Sequence, residues 1–398
     1  MGLESRRPSG EGATAENAID FASITSAGRD ALARGDKRVA AQLFEAAAAL
    51  ARDDDVKRLP IVPALGRSLR AIGELQRAEE LLNEVANPEG EAPERFAFLE
   101  VASLRDYMAA SAGSFHDLEE ASKLAPGSAP DVEARAKIVQ AEVNWTTGAY
   151  AAMMAPLEEA RHAAEKLEGS EGRSLVNSAL GWEARALLLG PTNAEEGRTR
   201  CEEILADAEQ SESHALEAAV LAVSAGLHAM LGEFDEARRR YKESGRLGEA
   251  YGLTGWLGAL SLYSGPVELL AGSAPVARRK LRRGYDALER IGDRSRRATT
   301  AAFLAHAFYE DQRDGEAKRF ARKSRGLAAA DDAYTQVVWR GALAKALARS
   351  EEEGRCDRAL GLAQEAVEHA NKTDGLNLQG DAFFDQAVVL RACEEDYA

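Results

Sequence analysis

Apolar residues return along this chain at helical spacing, with no alternation longer than about four residues of the kind a strand needs. Over Val276–Ile291 the positions Ala277, Leu281, Tyr285 and Leu288 fall on one helical face. Over Asp235–Arg246 the set is Ala237, Tyr241 and Ser244, with Arg238, Arg239 and Arg240 around the back. Each amphipathic segment follows a turn signature: a turn residue, usually Gly, and five positions later Ala or another apolar residue. It reads Gly35–Ala40, Gly73–Ala78, Gly113–Leu118, Gly148–Met153, Gly232–Ala237, Gly272–Ala277 and Gly354–Ala359. Weaker copies begin at Gly190 and Gln312, and successive turns lie 35 to 42 residues apart.

That period with helical flanks predicts stacked helical hairpins. The turn Gly supplies the left-handed backbone that ends a first helix. Asp36, Glu74 and Glu233 directly after it place negative charge at the next helix's N-terminus. The small residue five positions on belongs where the two helices cross, because a larger side chain there would force them apart. Breakers at Asn87–Pro93, Pro126–Pro130, Glu168–Arg173, Asp293–Arg294, Asp331–Asp332 and Asn371–Gly375 separate the hairpins, and Gly245–Gly258 reads as a further loop between hairpins. The expectation is an all-α fold, an α-solenoid of about nine hairpins plus a terminal helix. It forms one domain over 17–398 behind a disordered tail, 1–16. Asn377–Ala392 reads as the first helix of a tenth hairpin, its next turn due near residue 394. Either this helix is a natural cap, with Glu394, Glu395 and Asp396 as its solvated end, or the reading frame is truncated. Its apolar face, left open, invites self-association.

Composition narrows the class. The chain is 45% apolar and 29% charged, normal for a folded protein, and its net charge of −16 argues against a non-specific nucleic-acid binder. Cys201, Cys356 and Cys393 are far apart and odd in number, so no local disulfide framework or metal pair is expected and a reducing, cytoplasmic setting is the simplest reading. No secretory signal or membrane-length apolar run is present.

The Gly…Ala turn resembles the tetratricopeptide repeat (TPR), though longer than its usual 34 residues. The stretches Gly265–Gly272, Leu281–Asp293, Thr299–Tyr309, Gln336–Arg349 and Leu376–Arg391, with Ala27–Leu50, resemble the C-terminal TPR region of bacterial adenylate/guanylate cyclase–AAA ATPase signalling proteins. The resemblance covers only that family's non-catalytic arm. No G-x-x-x-x-G-K-[ST] phosphate loop and no cyclase-like strands with metal-binding aspartates are present, so no activity carries over to any residue. It implies a non-enzymatic scaffold or sensor arm in bacterial signalling, with a protein or peptide partner such as a cyclase, ATPase or regulator. The alternatives are a split piece of such a cyclase or ATPase, or the ligand-sensing arm of a transcription regulator.

No cofactor, metal or catalytic constellation is expected; the six histidines lack metal-ligand spacing. The four tryptophans, Trp145, Trp182, Trp256 and Trp339, all fall on first helices. Trp256 with Tyr263 and Trp339 with Arg340 are the candidate groove contacts, against inter-helix packing as the plain alternative. From Ala277 to Arg325 the chain holds fifteen Lys or Arg against seven Asp or Glu. Arg278, Arg279, Arg282, Arg283, Arg319 and Arg322 in that segment read either as solvated outer faces or as a patch for an acidic partner. The interleaved aromatics of single-strand binding are absent, which argues against nucleic acid as a partner.

Overall fold

The computed structural model describes residues 20–109, 113–124 and 129–394; the expected tail, 1–16, lies outside them, as do residues 125–128 of the Pro126–Pro130 break. The chain opens with α1 (Phe21–Arg34) and α2 (Lys37–Leu50), then a single turn, α3 (Asp55–Arg58). The next pairs are α4 (Val62–Ile72) with α5 (Leu75–Asn83), α6 (Ala92–Met108) with α7 (Ser114–Ser122), and α8 (Pro130–Thr147) with α9 (Met154–Ala164). They are followed by α10 (Ser170–Leu189) with α11 (Ala194–Gln210), and α12 (His214–Met230) with α13 (Phe234–Ala250). A first helix split into α14 (Thr254–Ala259) and α15 (Ser261–Leu270) pairs with α16 (Ala274–Ile291). The array closes with α17 (Arg294–Glu310) and α18 (Asp314–Leu327), α19 (Ala333–Ala348) and α20 (Arg355–Ala370), and finally α21 (Leu376–Glu394). Among the described residues, the all-α architecture and the nine hairpins plus terminal helix match the repeat spacing.

The turn signature does what its chemistry predicted at most copies. Gly35, at φ +85°, ends α1, its N–H bonding back to the last turn, and Asp36 then caps α2 by accepting from the Val39 N–H at 3.3 Å. The residue five positions on is completely buried at Ala40, Ala78, Leu118, Met153, Ala237, Ala277, Ala317 and Ala359. The exceptions are instructive. Gly113 has φ −100°, and the left-handed turn that ends α6 falls on Ala109 instead. Gln312 adopts the left-handed conformation itself, at φ +57°.

First and second helices bury differently. A second helix such as α16 buries one strip, Ala277, Leu281, Tyr285 and Leu288, and leaves its arginines outward. A first helix such as α19 buries almost its whole circumference. The reason is the superhelix. After four or five hairpins the coil returns on itself, so α1 packs on α10, α4 on α14, α6 on α17, α8 on α19 and α10 on α21. First helices are therefore covered outside by second helices and inside by the next turn of the coil.

Two expectations are corrected. The Gly245–Gly258 loop does not exist as such: α13 runs on to Ala250 and only Tyr251–Leu253 connects it to α14. Gly248 sits in a helix because a Cβ there would come within 2.9 Å of Leu257. The cysteines also pair: Cys356, near the start of α20, and Cys393, near the end of α21, form a disulfide across Cα atoms 5.6 Å apart. The hairpin is antiparallel, so distant positions in sequence meet at one end. This removes the basis for reading a reducing compartment from the cysteines. Cys201 stays single and buried. Among the described residues no helix is long and apolar enough to cross a membrane. The terminal helix exposes Phe383, Phe384 and Leu390.

Candidate ligand channel

Helices buried on both sides should be apolar, yet several first helices carry ionisable side chains inside the coil. Arg67 and Arg70 come from α4, Glu100, Asp106 and Tyr107 from α6, Arg135 and Glu142 from α8, Arg185 from α10 and Arg296 from α17. Together they line two adjoining chambers, of about 150 and 290 Å³.

The smaller chamber is aromatic and mixed in charge, because Glu142, Arg185 and Arg296 line it as well as the larger one. Its walls include Trp145, Trp182, Trp256, Tyr263, Phe303 and Tyr334, with Asp106 and Asp332 between them. Trp145 meets Trp182 edge to face at 5.6 Å, and Trp256 lies 5.5 Å from Tyr263. Burial and the nearby Glu142 and Asp332 carboxylates push the Asp106 carboxyl up to about 7. Burial also raises Asp332, against the Thr335 N–H that its carboxylate accepts at 3.0 Å.

The larger chamber is basic. Lys37, Arg67, Arg70, Arg135, Arg185 and Arg296 line it, against Glu100 and Glu142. Both acids are held by Arg135, which donates to Glu100 at 2.7 Å and to Glu142 at 3.0 Å. Burial opposes the Arg135 charge, but the two carboxylates overcome it and raise its pKa. Among the described residues no carboxylate hydrogen-bonds Lys37: its ammonium donates to the Leu32 carbonyl at 2.7 Å, and burial with the neighbouring Arg67 guanidinium pushes it down to about 7 against the more distant Glu171 and Glu100.

The Tyr107 ring borders both chambers, with the Arg70 guanidinium 4.0 Å from its centroid and that of Arg296 at 4.4 Å. Arg70 belongs to the first turn of the coil and Arg296 to the second. The stack therefore ties successive turns together beside the channel.

Of the expected groove contacts, Trp256 and Tyr263 line this channel. They are seven residues apart, about two helical turns, and so share a face. Trp339 and Arg340 do not join them. Trp339 follows the channel residue Tyr334 by five positions, a rotation of about 140°, which turns it away. It is buried towards the second helices, with its indole N–H on Gln336 at 3.1 Å and Arg340 stacked 4.3 Å above.

The six arginines of the basic patch lie on α16 and α18, the outer layer. Arg278 pairs with Asp311 at 3.3 Å and Arg282 with Asp286 at 3.1 Å, while Arg282 and Arg319 also lie over Phe320. Arg279, Arg283 and Arg322 are exposed. The channel's charged residues carry no distinct signature in the sequence, since α8 and α17 hold several other polar side chains beside Arg135, Glu142 and Arg296.

No protein-family model and no curated sequence matches the chain. Solved structures do. A Rap protein complexed with Competence and Sporulation Factor matches at 13% identity, over 85% of this chain and 98% of that one, with a TM-score of 0.55. NprR in complex with its cognate peptide NprX matches at 13% identity, over 88% and 99%, with a TM-score of 0.57. A signal transduction ATPase with numerous domains and a tetratricopeptide repeat sensor, from Pyrococcus horikoshii, shares 14% identity over 89% of this chain and 50% of that one, with a TM-score of 0.43. At these identities the likeness to Rap and NprR is one of fold: a TPR-like helical superhelix.

Proposed function

We propose that this chain is a non-catalytic TPR-like sensor arm that takes a short peptide, or a short segment of a protein, into its superhelix and relays its presence to a signalling partner. The observation that carries this reading is the channel inside the coil, where an aromatic chamber adjoins a charged one at the contact between successive turns of the coil. A ligand there touches both turns at once, so its binding energy bears directly on how tightly the coil closes. Two proteins of similar fold were solved with a factor or cognate peptide bound. The outer arginines Arg279, Arg283 and Arg322 stay available for an acidic surface on the partner.

The test is affinity selection of synthetic pentapeptide pools on the purified protein, read by mass spectrometry, with hydrogen exchange of the bound and free forms. Retained peptides should slow amide exchange in α6, α10 and α14. Retention of none, with interior exchange unchanged, removes the reading. Production of cyclic nucleotide from ATP or GTP by the purified chain would remove its non-catalytic part.

A further inference from the structure

The charges of the larger chamber do not balance. Arg135 occupies both of its carboxylates. Arg67 turns its terminal nitrogen to Glu171 at 2.6 Å, which is not part of the chamber wall, and leaves its Nε buried without a hydrogen-bond partner. Arg296 pairs with Asp293 at 3.2 Å. Three basic side chains remain. Among the described residues, Lys37 donates only to the Leu32 carbonyl, and Arg185 only to the Gly181 carbonyl at 2.7 Å while lying over Trp182. Arg70 donates to Ser103 and is 3.9 Å from the Glu100 carboxylate that Arg135 already engages. Confining cations without matching anions costs free energy in the free protein. An arriving anion with planar, two-oxygen geometry relieves that cost and fits the guanidinium fork.

The adjoining chamber shares Glu142, Arg185 and Arg296 with it and adds Asp106 and Asp332 among aromatic rings. The carboxyls of Asp106 and Asp332 thus lie only in the aromatic chamber, and Lys37, Arg67 and Arg70 only in the basic one. That is the charge order of a zwitterionic chain.

Resting on the peptide reading above, we propose that the basic chamber anchors a carboxylate of the bound peptide through Lys37, Arg70 and Arg185. The peptide then runs past Tyr107 into the aromatic chamber, where its cationic end faces Asp106 and Asp332.

Three pentapeptide pools test this on the full chain: free acids, their C-terminal amides, and amides made without Asp or Glu. Retention of the free acids about tenfold or more above the Asp/Glu-free amides supports the anchor, since a charge-assisted hydrogen bond is worth about 1.5–3 kcal/mol. Amides retained only when they contain Asp or Glu support it with a side-chain carboxylate as the source. Equal retention from all three pools overturns the anchor and leaves the peptide reading standing. Retention from none overturns both. Inorganic phosphate displacing peptide at concentrations where acetate does not assigns the chamber to phosphate and overturns the carboxylate. Arg185→Gln and Lys37→Gln should each cut retention of the free acids about tenfold, and Arg246→Gln, an exposed arginine paired with Glu243 on α13, should leave it unchanged. Should either inner variant fail to fold, the salt dependence of wild-type retention reads the same contact: retention indifferent to salt overturns it.

Discussion

Gly35 and Gly232 carry the same sequence signature and nearly the same backbone angle, φ +85° and +80°, yet they do different work. Around Gly232 a Cβ would meet nothing within 4 Å. At Gly35 it would come within 2.5 Å of the backbone nitrogen of Ala215, in the next turn of the coil. Gly148 behaves like Gly35, with a Cβ position 2.5 Å from Thr373. In the first turn of the superhelix the loop between the helices of a hairpin is also a seat for the second turn. In the second turn the same loop is only a helix terminator. One local rule therefore serves two purposes, and the coil's closure separates them.

The largest expected effect comes from breaking the seat. Gly35→Val combines a strained left-handed β-branched residue with a backbone collision, and should cost more than about 3 kcal/mol in denaturant unfolding or prevent folding outright. A cost near 1 kcal/mol would mean that the turns separate freely. Asp374→Ala acts at the neighbouring latch, where one carboxylate accepts the N–H groups of Tyr150 at 2.9 Å and Ala151 at 2.8 Å across the coil. Losing two charge-assisted bonds should cost about 2–3 kcal/mol and lengthen the particle in small-angle scattering. An unchanged radius of gyration would deny the latch its role.

Asp106→Asn probes the contact between turns through pH. The folded-state carboxyl titrates near 7 and the unfolded one near 3.8, so the native state binds more protons in between. Native stability should then fall as pH rises from about 4 to 7, with the full cost present above 7. The Asn variant, which cannot ionise beside Glu142 and Asp332, should be more stable than wild type by about 2 kcal/mol at pH 8 and equal to it near pH 3. Parallel stability–pH curves for the two proteins would refute this. Smaller effects belong to the free turns. Gly232→Ala should cost only about 1 kcal/mol, the price of a positive φ alone. Gln312→Gly should gain about 0.5–1 kcal/mol, because the native residue already sits at φ +57°. Thermal unfolding of the two variants side by side tests whether these positions are terminators and nothing more.

The repeat was readable because its causes are local. A Gly ends a helix, a small residue lets two helices cross, and an apolar strip such as Ala277–Leu281–Tyr285 selects the buried face of α16. The channel was only half readable. Trp256 and Tyr263 share a face by simple helical arithmetic, whereas Trp339 shares a helix class with them and turns the other way. Lys37, Arg70, Arg185 and Arg296 are not marked out by their sequence neighbours, because nothing nearby in sequence says that another turn of the coil will close over them. The pairing of Cys356 with Cys393 escaped for a related reason: it depends on the antiparallel course of α20 and α21, which brings the start of one beside the end of the other.

The amino-acid order alone thus specified helices, hairpins, their number and their outward basic face, because each follows from contacts within about forty residues of chain. The interior was settled by how far each hairpin rotates against the next. That rotation, summed over four or five repeats, brings Arg70 and Arg296 from different turns against Tyr107 and forms a charged channel, and no single repeat encodes the sum.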